Sequence, residues 1–173
     1  MLQDRHKIEI RDVDEKKDVG AISSIYNHFV VSTDVTFETT PVSDEDMAAR
    51  IAAISARYSY LVCVVDGVLA GYAYVHEWNT KEAYRTSAES TIYLSPKYSR
   101  KGLGTMLLDA LEEKCRKRGL VALVALITAS NESSCLFHES RGYKRVGCLS
   151  SIGRKFGRYL DVAIYEHLLC SRI

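Results

Sequence analysis

Ser99-Arg100-Lys101-Gly102-Leu103-Gly104-Thr105 stands between a β-rich run and an amphipathic helical stripe, and its reading decides the fold. Gly102 and Gly104 lack a Cβ, so the backbone there can approach a ligand closely. The unpaired N–H groups of a helix start aim at an anion with the macrodipole behind them. Arg100 and Lys101 add formal positive charge at the rim. A plain helix cap or tight turn uses glycine in the same way, so the neighbouring elements have to decide.

Upstream, Ala88-Glu89-Ser90-Thr91-Ile92-Tyr93-Leu94 reads as a strand that Ser95-Pro96 ends. Before it, residues 60–65 and 68–75 are β-rich and separated by Asp66-Gly67, a two-residue hairpin signal, so these strands pair antiparallel. Nearer the start, Ile8 and Ile10 alternate with polar residues in a short strand. Val19, Ile22, Ile25 and Phe29 then recur at helical spacing after the capping candidates Asp14 and Asp18. Residues 33–41 carry Phe37, a large apolar side chain in a polar loop, as a loop covering a site does. Ser43 opens a second helix whose face is Met47, Ile51 and Ile54.

Downstream, Leu103, Leu107, Ala110, Leu111 and Cys115 stripe a helix that ends in Lys114, Arg116, Lys117 and Arg118 before Gly119. Four cations there complement a helix C-terminus and read as a solvated end. Residues 121–127 form an apolar run expected of a strand covered on both faces and parallel to the one before the helix. A short helix over 131–140 and strands over 143–151 and 159–167 complete the order β-α-α-β-β-β-α-β-α-β-β.

With 173 residues, 47% of them hydrophobic, the chain suffices for one well-buried core, and residues 1–173 read as a single domain. A formal charge of +1 leaves no broad footprint for nucleic acid or an anionic membrane, so any anion site is local. No apolar run is long enough to span a bilayer, and residues 1–11 lack the apolar core of a signal peptide, so a soluble cytoplasmic protein is expected. Cys63, Cys115, Cys135, Cys148 and Cys170 form no CxxC pair, which predicts free, mostly buried thiols and no metal site.

Glu89 sits on the strand upstream of the glycine loop, on the order of 20 to 30 Å of chain away at strand rise. A ligand joining the two is long. A coenzyme A thioester has this form, with a diphosphate at one end and a reactive acyl group at the other. A Walker A loop is excluded because no Gly-Lys-Ser/Thr follows, and a dinucleotide fold conflicts with the early antiparallel hairpin. A carboxylate on that strand is a possible proton acceptor beside the acyl end, which makes Glu89 the candidate general base. Selection of a second substrate falls to Lys81-Glu82-Ala83-Tyr84-Arg85 with Phe37 and Glu38; Arg85 or Lys81 suits a carboxylate. Cys135, on an apolar helical stripe, reads as packing.

Together with Asn131 and Leu136-Phe137-His138-Glu139-Ser140-Arg141-Gly142-Tyr143, these motifs resemble the GCN5-related N-acetyltransferases (GNAT). They are most similar to the phosphinothricin and methionine sulfoximine acetyltransferase branch, to which Lys155-Phe156-Gly157-Arg158-Tyr159-Leu160-Asp161 also corresponds. The resemblance implies an α/β (α+β) fold, with a mixed, mostly antiparallel sheet of about seven strands and four flanking helices. It implies acetyl-CoA as co-substrate, a small amino-acid-like amine as acceptor, direct attack in a ternary complex, and a homodimer. By the same resemblance, Ile92, Tyr93 and Leu94 hold the pantetheine arm, and Arg100, Lys101, Gly102, Leu103, Gly104 and Thr105 hold the diphosphate. Asn131 and Ser140 contact substrate or coenzyme, and Glu82, Ala83 and Tyr84 face the acceptor. An Asn before a short helix is also a preferred cap. His138 occupies the place where many family members carry a tyrosine that protonates the departing thiolate, so it is either an acid or a packed residue. Where the family's loop usually begins with Gln or Arg, this chain has Ser99. An acetyltransferase acting on proteins or peptides, and an acyl-CoA sensor without turnover, are the alternatives.

Overall fold

The computed structural model describes residues 6–170, so the reading of the first eleven residues lies partly outside the described residues. The elements are β1 (Ile8–Asp12), α1 (Val19–Ser32), α2 (Asp44–Ser55), β2 (Tyr60–Val65), β3 (Val68–Glu77), β4 (Ser87–Leu94), α3 (Leu103–Lys117), β5 (Ala122–Thr128), α4 (Glu132–Ser140), β6 (Lys144–Lys155) and β7 (Arg158–Leu168). Short 3-10 turns span Glu82–Tyr84 and Pro96–Tyr98. The order matches the expected one. The strands hydrogen-bond as one seven-stranded sheet in the order β1-β2-β3-β4-β5-β7-β6. The β1–β2, β2–β3, β5–β7 and β6–β7 ladders are antiparallel and β4–β5 is parallel, as a crossover through α3 requires.

By contact density the chain divides into two compact units. The first comprises the described residues of Met1–Asn27, Val42–His76 and Ser90–Arg118. Its centre is β2, buried at every position, with α3 laying Leu103, Leu107, Leu108, Leu111 and Cys115 against it. That spacing is one face of a 3.6-residue helix, and the face is closed to water. Asp66 (φ 50°) and Gly67 (φ 82°) turn β2 into β3 with left-handed dihedrals at both central positions, the pattern that matches hairpin twist. Ser43 caps α2 by accepting from the Asp46 N–H at 3.1 Å. Arg11 donates to both carboxylate oxygens of buried Asp18, at 2.6 and 2.8 Å. Desolvation works to raise the Asp18 pKa, but the Arg11 guanidinium and the Asp14 N–H outweigh it and hold the carboxyl below its usual range.

The second unit comprises His28–Pro41, Glu77–Glu89 and the described residues of Gly119–Ile173. Its core is Leu123, Ala125 and Ile127 from β5, with Leu160, Ala163 and Tyr165 from β7. The final hairpin is longer than the sequence pattern predicts. Phe156 (φ 49°) and Gly157 (φ 77°) make its turn, and irregularities between Arg145 and Gly147 and between Leu149 and Gly153 break the alternation that sequence reading relies on.

The cations at the end of α3 are engaged locally: Lys114 with Asp12 at 2.7 Å, Arg116 with Glu112 at 3.0 Å, and Arg118 with the Arg57 carbonyl. All five cysteines are free. Cys63 and Cys115 are buried, whereas Cys148 and Cys170 are exposed, so burial of the thiols is less general than expected. Burial pushes the Cys115 thiol up to about 12, which leaves it inert. No described helix is long and apolar enough to cross a membrane.

Candidate active site

β4 carries the candidate site from one end to the other. Its parallel ladder with β5 runs Ser87↔Ala122, Ala88↔Leu123 and Glu89↔Val124, and these three pairs end at the candidate base. The strand continues through Ile92, Tyr93 and Leu94, all half-buried. Gly71 of β3 gives these residues room: a Cβ there would lie 2.6 Å from the Tyr93 carbonyl oxygen and 2.4 Å from Leu94 Cδ2. The Tyr93 ring meets Tyr26 edge-on at 5.5 Å and Tyr72 at 5.5 Å, which fixes the side chain from two sides.

The glycine loop forms the helix start that the sequence predicts. Gly102 is the N-cap of α3 at φ 82°, and Arg100 is also left-handed at φ 58°. An added Cβ on Gly102 would meet nothing within 4 Å, so the glycine serves conformation and not packing. The first turn of α3 has neither a side-chain cap nor an acidic residue. By contrast α2 is capped by Ser43 and opens with Asp44, Glu45 and Asp46, and α4 is capped by Asn131 and opens with Glu132. The leading N–H groups of α3 therefore remain suited to an external anion, with Arg100 and Lys101 exposed beside them. Leu103 and Gly104 are buried in the first turn, and Thr105 is half-buried. This donor set fits the diphosphate of a coenzyme A thioester. Ser99 N–H closes the preceding 3-10 turn onto the Pro96 carbonyl at 3.3 Å.

Among the residues expected to face the acceptor, Lys81 to Arg85 are exposed, and Arg85 reaches Glu82 at 3.3 Å. Asn131 Oδ1 accepts from the Ser134 N–H at 3.2 Å, and Ser140 Oγ donates to the Phe137 carbonyl at 2.7 Å, so both residues bond their own helix. His138 is buried, with its ring edge-on to Tyr143 at 5.0 Å and near Tyr165 at 6.5 Å. Its Nδ1–H donates to the Ser134 carbonyl at 2.8 Å. Desolvation pushes the imidazole below its usual pKa, and the bond to Ser134 offsets only part of this, so the ring is neutral at neutral pH.

Sequence reasoning missed the group that holds the Phe37 loop. Lys155 Nζ is buried and donates to the Thr36 carbonyl at 2.8 Å, Arg158 pairs with the Asp34 carboxylate at 2.8 Å, and Thr128 Oγ1 donates to the Asp34 carbonyl at 2.8 Å. The sequence carried no signal of this, because the burial that obliges Lys155 to find a partner is visible only in the fold.

The acetyltransferase (GNAT) family model matches residues 12–143. A phosphinothricin N-acetyltransferase of Streptomyces viridochromogenes is 34% identical, over 96% of this chain and 90% of its own length. An L-methionine sulfoximine/L-methionine sulfone acetyltransferase of Salmonella typhimurium is 33% identical, over 88% of this chain and 90% of its own. Among solved structures, a GNAT superfamily phosphinothricin acetyltransferase from Sinorhizobium meliloti in complex with acetyl-CoA superposes with a TM-score of 0.89 at 34% identity, covering 93% of this chain and 88% of that one. With a strand that ends its ladder at a carboxylate, an uncapped helix start for a diphosphate, and these relatives, the chain belongs to the acetyltransferase (GNAT) family and takes its acetyl group from acetyl-CoA.

Proposed function

We propose that this enzyme acetylates the amino group of a small amino-acid-like acceptor of the phosphinothricin, methionine sulfoximine or methionine sulfone type, by direct attack in a ternary complex. The observation that carries the reading is the run of β4 from Glu89, where its ladder with β5 ends, toward the uncapped start of α3 at Gly102. The relatives' acceptors supply the acceptor class.

Bound acetyl-CoA supplies an acyl carbon activated as a thioester. The N–H groups of the α3 start, with Arg100 and Lys101, bind the diphosphate, and the backbone of Ile92, Tyr93 and Leu94 extends a strand-like ladder to the pantetheine amides. Glu89 takes a proton from the acceptor ammonium, directly or through a water; the neutral amine attacks the thioester carbon, the C–S bond breaks, and the departing coenzyme A thiolate takes up the second proton from the acylated nitrogen, directly or through water. Glu82, Ala83, Tyr84 and Phe37 border the acceptor, and Arg85 holds its α-carboxylate. The burial and carbonyl bond of His138 support a positioning role for it, through the packing of α4, in place of the acid role. Asn131 and Ser140 contact substrate or coenzyme from the two ends of that helix.

Residues 1–173 form one catalytic domain in this reading, supported by a family match that runs through segments of both compact units. The enzyme is a cytoplasmic homodimer. Five free thiols suit a reducing compartment, and the exposed apolar side chains of Leu136, Val146, Leu149, Ile152 and Tyr159 on α4, β6 and β7 offer apolar surface for a second copy.

The test is a thiol-release assay across amino acids, their sulfoximine, sulfone and phosphinic analogues, and peptides. Turnover on the small analogues with none on peptides is expected. Turnover on peptides alone overturns the acceptor class. Silence across the panel with calorimetric binding of acetyl-CoA makes the protein a sensor.

A further inference from the structure

Phe37 lies on the backbone of Gly153. A Cβ built on Gly153 would come within 2.1 Å of Phe37 Cε2, 2.5 Å of Cδ2 and 3.0 Å of Cζ, so the ring occupies the space that any other residue would fill. Gly153 pairs with Leu160 across the β6–β7 hairpin and does not adopt a left-handed φ. Its lack of a side chain thus serves the ring above it and no backbone requirement. The loop bearing Phe37 is tied to the same hairpin just before the ring. Lys155 bonds the Thr36 carbonyl at 2.8 Å, and Arg158 pairs with Asp34 at 2.8 Å. Ser130 reaches the Asp34 carboxylate at 3.2 Å and Thr128 the Asp34 carbonyl at 2.8 Å, which adds the end of β5 to the anchorage. Thr36 is buried while Phe37, next to it, is 38% exposed, so the loop backbone is fixed and one side of the ring remains open.

We propose that Gly153 is a specificity-determining position that sets the bulk of the acceptor by seating the Phe37 ring, with Lys155 as a positioning residue that holds the loop in register. The proposal rests on the reading that Phe37 borders the acceptor. Because the loop is anchored at Asp34 and Thr36, a side chain at Gly153 cannot displace the whole loop. It pushes the ring off the hairpin toward its open side, where the acceptor lies, and the space for a bulky acceptor shrinks. A change of one methylene in an acceptor pocket shifts relative kcat/KM by roughly 10- to 200-fold, so displacement of a whole ring is readable.

The experiment compares wild type, Gly153→Ala, Phe37→Ala and the double variant. Two readouts are used. One is 19F NMR of protein labelled with fluorophenylalanine, interpretable because the chain has only four phenylalanines. The other is kcat and KM for methionine sulfone against alanine as acceptors. Gly153→Ala is expected to move the Phe37 resonance and to lower kcat/KM for methionine sulfone about tenfold more than for alanine, chiefly through KM. In the Phe37→Ala background, Gly153→Ala should change the ratio less than twofold, because the ring it acts on is gone. An unmoved resonance, or a moved resonance with the acceptor ratio unchanged, overturns the proposal. Failure of the underlying reading looks different: Phe37→Ala itself would leave the acceptor ratio unaltered. Lys155→Met should broaden or shift the Phe37 resonance and raise acceptor KM without altering acetyl-CoA affinity; an unaffected resonance removes Lys155 from the device.

Discussion

Glu89 lies opposite Val124 in the last pair of the parallel β4–β5 ladder. The pairing fixes the backbone of the candidate base to a buried strand core while its half-buried side chain retains access to solvent. Rigid backbone with a reachable carboxylate is the combination that proton transfer needs.

Glu89→Gln should therefore lower turnover by about 10²- to 10⁴-fold, the usual scale for loss of a general base, and leave acetyl-CoA affinity within twofold. Stopped-flow thiol release and calorimetry separate the two quantities. Unchanged turnover removes Glu89 from the chemistry.

Gly102 offers a test of the anion site, because an added Cβ there meets no neighbouring residue and an Asp and an Asn variant share the cost of the left-handed φ. Gly102→Asp should weaken acetyl-CoA binding about tenfold through repulsion from the diphosphate, and Gly102→Asn, which tolerates the same left-handed φ, should weaken it much less. The gap between the two should narrow as salt is raised. Equal affinities for the Asp and Asn variants would mean that the diphosphate lies elsewhere.

The buried neutral imidazole of His138 gives a pH signature. Its folded-state pKa is depressed, so the unfolded chain binds the proton more readily, and stability rises with pH across the interval between the two pKa values. The contribution is fully present above the ordinary histidine pKa of about 6.5 and is lost as pH falls from there through the folded value. Thermal melts should show Tm dropping more steeply below pH 6.5 in wild type than in His138→Gln. Parallel slopes would mean that the ring is free to charge in place.

Removing the partner of a buried carboxylate is costly. Arg11→Met leaves Asp18, 5% exposed, with the Asp14 N–H at 2.7 Å as the one remaining donor to its side chain among the described residues. Urea unfolding should show a loss on the order of 3 kcal/mol, partly recovered when Asp18→Asn is added. A loss below about 0.5 kcal/mol would show that water, and not Arg11, satisfies the carboxylate.

The Asp66-Gly67 turn is legible in sequence because its requirement is local: two adjacent residues must accept positive φ. The α3 stripe is legible for the same reason, since helical periodicity reports the buried face directly. The Phe156-Gly157 turn is harder to read, because a phenylalanine at φ 49° contradicts its own preference and is sustained by the surrounding hairpin. The end of the β4–β5 ladder at Glu89 is invisible to any pattern of residue types, because strand pairing is set by tertiary structure. The contact of Phe37 with Gly153 lies beyond sequence reasoning altogether. It joins residues distant in the chain, and neither one signals the other by spacing or type.

The residues assigned to the pantetheine arm and diphosphate, Ile92 to Leu94 and Arg100 to Thr105, and those assigned to the acceptor, Phe37 and Glu82 to Arg85, occupy separate stretches of the chain. Such a division of labour lets descendants of one gene drift in what they modify while inheriting an unaltered donor. Mutagenesis libraries confined to residues 28–41 and 77–88 would then explore new acceptors without gambling with the fuel supply.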